Sequence, residues 1–148
     1  MLPVAQSVGG GGGYCAGGSG APVTLGNTEN GFVYRLYRGT TLVKTLTGLG
    51  MSLNFGNQTN AGTYTATAYN PSTGCTANMS GSAVVTINPL PLAYKTFIAG
   101  SGAYCAGTTP SHIKLNGSET GTNYSLYLAG SPVASVVGTG DTLDFSAA

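Results

Sequence analysis

Apolar and polar residues alternate along much of this chain with a period of two. In Phe32-Val33-Tyr34-Arg35-Leu36-Tyr37-Arg38, Phe32, Tyr34 and Leu36 share one face, and Val33, Arg35 and Tyr37 share the other. That is the pattern of a strand with one buried side. Met51, Leu53 and Phe55 repeat it a little further on. Pro22 to Leu25 and Leu42 to Leu46 read as further short strands, separated by turns at Gly26 to Gly31, Gly39-Thr40 and Gly48-Leu49-Gly50. Gly and Asn at such places tolerate left-handed backbone. No segment carries apolar residues at three-to-four spacing over a helix length.

Past Asn60 the alternation resumes in Gly62-Thr63-Tyr64-Thr65-Ala66-Thr67-Ala68-Tyr69. A Gly two positions before a Tyr, leading into an alternating run, is the pattern of a tyrosine corner, whose hydroxyl bonds back to the preceding turn. Tyr64 is assigned that role. Asn70-Pro71-Ser72-Thr73-Gly74 reads as a turn, and Cys75 to Ile87 as a closing strand or strand pair kinked at Ser80-Gly81-Ser82. The run Gly9 to Gly13 has two readings, an extended edge segment or a flexible linker. About seven short strands with these turns predict an all-β fold, an immunoglobulin-like Greek-key β-sandwich.

The chain also echoes itself. Tyr14-Cys15-Ala16-Gly17 returns as Tyr104-Cys105-Ala106-Gly107, offset by 90 residues. Leu25, Glu29, Gly31, Tyr34, Leu36, Gly48 and Phe55 match Leu115, Glu119, Gly121, Tyr124, Leu126, Gly138 and Phe145 at the same offset, without a gap. The expected organisation is tandem repeats. Residues 1–88 form a complete copy with its core at about 8–88. Residues 89–95 form a stiff linker containing Pro89 and Pro91. Residues 96–148 form a second copy, truncated before its final strands.

Charge narrows the choice of partners. Five Lys and Arg against four Asp and Glu leave no basic cluster for phosphate, so no nucleic-acid partner is expected. No apolar run approaches the roughly 20 residues of a membrane span, so no membrane insertion is expected. Nor do the first residues carry a charged stretch followed by an apolar core, as a signal peptide would.

Cys15 opens the first copy and Cys75 opens its last strand, so a structural disulfide between them is expected. A loop of about 60 residues would contribute roughly 4 kcal/mol in the chain-entropy model. Cys105 then stays unpaired by truncation, because the mate of Cys75 would fall at position 165. A Cys75–Cys105 bridge and three free thiols remain as alternatives. The disulfide reading implies an oxidising, extracellular setting.

Candidate chemistry is sparse. The only histidine, His112, stands opposite Pro22 in the other copy, so a thiol–histidine pair does not recur. Lys114 stands opposite Thr24, and Asp141 and Asp144 opposite Met51 and Asn54. Only Glu29 and Glu119 recur among the acids, each just before a turn Gly, where a structural hydrogen bond is expected. The chain is read as non-enzymatic, with no cofactor and no metal site.

Several units in their order carry a resemblance: Gly13-Tyr14-Cys15-Ala16-Gly17-Gly18, Tyr34-Arg35-Leu36-Tyr37, Phe55-Gly56-Asn57-Gln58-Thr59, Ala61-Gly62-Thr63-Tyr64, Thr73-Gly74-Cys75-Thr76 and Asn88-Pro89-Leu90-Pro91. Together they resemble tandem repeats of giant cell-surface proteins of Bacteroidota, including gliding-motility adhesins of the SprB type exported by type IX secretion. The resemblance implies Ig-like stalk repeats in a secreted surface filament, whose partners are neighbouring repeats. It carries no ligand site with it. Two further readings stand beside it. One is a binding module for a surface polysaccharide or protein ligand, using Tyr37, Tyr69 and Tyr127. The other is a fibre subunit completed by a strand from a neighbour.

Overall fold

The computed structural model describes residues 1–99, 102–103, 105–108 and 111–145. It is all-β and divides into two compact units, Met1–Leu90 and Pro91–Ala148.

The first unit contains nine strands: β1 (Val8–Gly10), β2 (Gly12–Cys15), β3 (Ala21–Asn27), β4 (Val33–Arg38), β5 (Thr41–Thr47), β6 (Ser52–Gln58), β7 (Gly62–Tyr69), β8 (Thr76–Asn78) and β9 (Ala83–Asn88). They form two sheets. One has the order β1-β3-β6, and the other the order β2-β9-β7-β4-β5 with β8 also paired to β7. The alternation seen in the sequence is used directly. Val23 and Leu25 of β3, Phe55 of β6, Tyr34 and Leu36 of β4, Tyr64, Ala66 and Ala68 of β7 and Val85 of β9 are all buried in one core shared by the two sheets. Met51 breaks the expectation. It lies before β6 and is exposed, while Leu53 and Phe55 pack inward.

The glycine run is paired strand rather than linker. β1 runs antiparallel to β3 on one sheet, and β2 runs parallel to β9 on the other, with only Gly11 between them. The backbone crosses between sheets there with φ of 83° at Gly10 and 80° at Gly11. A methyl on Gly10 would meet the Pro22 carbonyl oxygen at 2.2 Å, and one on Gly11 the Val84 carbonyl oxygen at 2.5 Å. Only glycine meets both the φ requirement and the clearance.

The second unit contains β10 (Thr96–Ala99), β11 (His112–Leu115), β12 (Asn123–Leu128), β13 (Ser131–Val137) and β14 (Leu143–Asp144). β10-β11-β14 make one sheet and β12-β13 another. Leu115, Leu143 and Phe145 are buried, with Tyr94, Tyr124, Leu126, Ala134 and Val136 packed against them. Tyr104, half of the sequence echo with Tyr14, lies outside the described residues, as do residues 146–148.

Register corrects the expected alignment at the front of this unit. Val8 pairs with Leu25, but the residue paired with Leu115 is Thr96, not Ile98. Gly26 N–H donates to the Ser7 carbonyl, and Asn116 N–H to the Lys95 carbonyl. Up to β10 the offset is therefore 88, and from Cys105 onward it is 90. In these terms Leu2-Pro3-Val4-Ala5 corresponds to Leu90-Pro91-Leu92-Ala93. The expected linker at 89–95 is corrected accordingly. Leu92 and Lys95 donate backbone N–H groups to Glu119 and Asn116, and Tyr94 packs on Tyr124, so residues 92–95 belong to the second unit. Pro91 opens that unit and Pro89 lies just before its boundary.

Candidate functional site

The most developed polar arrangement is a clamp at the turn before β4. Tyr34 is fully buried, and its hydroxyl oxygen accepts the N–H of Glu29 at 2.8 Å. The Glu29 carboxylate in turn accepts the N–H of Val4 at 3.0 Å, holding the N-terminal segment against the turn. Thr28, also buried, donates its hydroxyl to the Met51 carbonyl at 2.7 Å and accepts the Leu49 N–H at 3.3 Å. Gly48 sits beneath this arrangement. A methyl there would lie 2.3 Å from the Glu29 carbonyl oxygen and 2.7 Å from a Tyr34 ring carbon. Burial raises the Tyr34 pKa; the Glu29 backbone bond offsets part of that rise, and the Glu29 charge adds to it.

The second unit repeats the clamp almost atom for atom. Tyr124 accepts the Glu119 N–H at 2.9 Å, and the Glu119 carboxylate accepts the Leu92 N–H at 2.9 Å. Ser118 takes the part of Thr28, donating to the Asp141 carbonyl at 2.7 Å and accepting the Thr139 N–H at 3.0 Å. Gly138 leaves the same clearance as Gly48. The recurring acids thus hold backbone, as their place before a turn suggests.

Tyr64 is buried, and its hydroxyl donates to the Asn60 carbonyl at 2.7 Å, four residues back. The expected disulfide between Cys15 and Cys75 is corrected. Cys15, Cys75 and Cys105 are free thiols. Register gives the reason. Cys15 pairs with Asn88, three residues past the Val85 that faces Gly62, so it lies beyond the start of β7. The Cys75 carbonyl accepts the Asn70 N–H, just past the other end of β7. At strand rise the two are separated by about 30 Å, whereas a disulfide needs Cα atoms within about 7 Å. Cys105 opens a tight turn closed by the Thr108 N–H on its carbonyl, matching Gly18 on Cys15.

One cluster escaped the sequence reading. His112 Nδ1 lies 2.8 Å and Lys114 Nζ 3.0 Å from the same Asp144 oxygen. The signal was available, because β11 and β14 place Lys114 opposite Asp144 just as β3 and β6 place Thr24 opposite Asn54. All three side chains are partly exposed, and no group of three or more His, Cys, Asp or Glu residues able to hold a metal occurs among the described residues.

The three tyrosines considered for ligand binding divide between the two units. Tyr37 and Tyr69 sit on the outer face of the β4–β7 pair, with the Arg35 guanidinium 5.5 Å over the Tyr69 ring. Tyr127 belongs to the other unit, where it is exposed. Among the described residues, no helix is long and apolar enough to cross a membrane.

No family model, curated protein or solved structure matches the chain.

Proposed function

We propose that this chain is a non-enzymatic structural segment of a large secreted cell-surface protein, a stalk of tandem Ig-like Greek-key sandwiches. The observation that carries the reading is the recurrence of the Glu–Tyr clamp, Glu29 with Tyr34 and Glu119 with Tyr124, each fastening the incoming backbone of its own unit. A polar network kept twice and spent on main-chain N–H groups suits a load-bearing module rather than a reactive site. The Tyr64 bond to Asn60 and the two sheets around one core support the Ig-like assignment.

Export and the surface setting rest on the resemblance to Bacteroidota adhesin repeats, since no disulfide supports them. The function is attachment or gliding by reach: modules in series hold a distant tip away from the cell. Immunogold labelling of intact cells with antiserum against residues 1–148 tests this. Surface label, together with an immunoreactive species far larger than 14.7 kDa, is expected. Label confined to the cell interior contradicts it.

A further inference from the structure

The second unit has an open side, and the first unit shows what fits it. In the first unit β4 is flanked on both edges, by β5 and by β7, and the pairs Tyr34–Ala68, Leu36–Ala66 and Arg38–Tyr64 bring the β7 side chains over the core. β12 is the counterpart of β4. Among the described residues it pairs only with β13, leaving the edge from Asn123 to Leu128 unoccupied by a strand. The N-terminal segment is open in the same way. In the first unit Gln6 and Val8 exchange backbone bonds with Ser80, and the Gln6 N–H meets the Met79 sulfur at 3.4 Å. Nothing among the described residues does this for Tyr94 and Thr96.

Core positions pay for the opening in exposure. Val23 is 0% exposed, while its counterpart Ile113 is 37% exposed. Leu36 is 0% exposed, yet Leu126 is only half-buried, and Leu128, where the first unit has the half-buried Arg38, is 69% exposed. Thr96, Phe97, Ile98, Ile113, Leu126 and Tyr127 line an open apolar groove at this place. Exposed apolar surface beside an unpaired strand edge is the combination that accepts an added strand.

We infer that this groove and the β12 edge form a docking surface for a partner strand of the pattern seen in the closing segment at residues 62–88. That segment itself is already used, with Tyr64, Ala66 and Ala68 at 0–2% exposure in the first unit. The occupant is an extended strand antiparallel to β12, with a Tyr opposite Leu128 and small residues opposite Leu126 and Tyr124. Its following residues cover Tyr94 to Thr96. The small residues matter because in the first unit fully buried Tyr34 and Leu36 stand opposite Ala68 and Ala66, where the core takes little more than a methyl. This goes beyond the stalk reading and holds whether or not the parent is a filament.

The test uses the full chain and a synthetic peptide of residues 60–88 carrying Cys75→Ser, with substitutions made in the peptide so that the protein's folding is untouched. Saturable one-to-one binding is expected, with new hydrogen-exchange protection at Asn123 to Leu128 and none added in β4. Ala66→Asp in the peptide buries a carboxylate and should weaken binding more than about tenfold. Thr65→Lys, on the outer face, should change it less than about threefold. Failure to bind, equal binding of the Ala66→Asp peptide, or protection gained only in the first unit overturns the inference. If the chain alone self-associates, peptide that disperses the oligomer supports the inference, and an oligomer indifferent to peptide contradicts it.

Discussion

The Tyr34 hydroxyl accepts the Glu29 N–H at 2.8 Å from a fully buried position five residues along the chain. The bond ties the turn before β4 to the core beneath it, and its twin at Tyr124 and Glu119 does so in the second unit. Removing the acceptor leaves a partly buried N–H without a partner. Tyr34→Phe should therefore cost about 1–2 kcal/mol, read as a lower urea midpoint at unchanged slope. An unchanged midpoint would mean that water replaces the bond freely.

Alkaline pH probes the same group. Burial raises the Tyr34 pKa, so the folded protein holds that proton more tightly than the unfolded chain does. Its contribution is intact below about pH 10, the ordinary tyrosine value, and is lost as pH rises through the folded pKa. Relative to Tyr34→Phe, the native protein should lose stability faster above that pH. Parallel curves for the two proteins would show that Tyr34 does not report on burial.

Two glycines separate steric clearance from backbone conformation. Gly48→Ala drives a methyl into the Glu29 carbonyl and the Tyr34 ring and should cost about 3 kcal/mol. Gly31 has open space around it but a φ of 81°, so Gly31→Ala should cost about 1–2 kcal/mol from strain alone. Equal losses in thermal unfolding would argue against the close approach at Gly48.

The cysteines make a sharp chemical prediction. Alkylation of denatured, unreduced protein should modify Cys15, Cys75 and Cys105 alike. Cys15→Ala, at an exposed position, should shift stability by less than about 0.5 kcal/mol. A species two hydrogens lighter that resists alkylation would restore the bridge.

Much of the first unit was readable in advance, because half-buried strands print their burial as alternation. β3, β4, β6 and β7 show it, and Tyr64 stands where a Gly-x-Tyr pattern puts it. What escaped was whatever depends on strand direction and pairing. Cys15 and Cys75 each lie near a strand end, but which end of the sheet each occupies follows from β2 running parallel to β9, and no local pattern encodes that. The two-residue shift before Cys105 was invisible for a similar reason. Glycine-rich edge segments carry little side-chain identity to align, so only hydrogen-bond register reveals it. The His112, Lys114 and Asp144 cluster needed two strands placed side by side before its members met.

The central claim is that both units are built around one and the same clamp. Native-state hydrogen exchange resolved by residue tests it most directly. The amides of Glu29, Gly31 and Gly48 each donate to a partner, and Glu119, Gly121 and Gly138 donate to the matching ones. The account predicts slowed exchange at all six, in the same rank order within each unit. Protection at Glu29, Gly31 and Gly48 with free exchange at Glu119, Gly121 and Gly138 would contradict it.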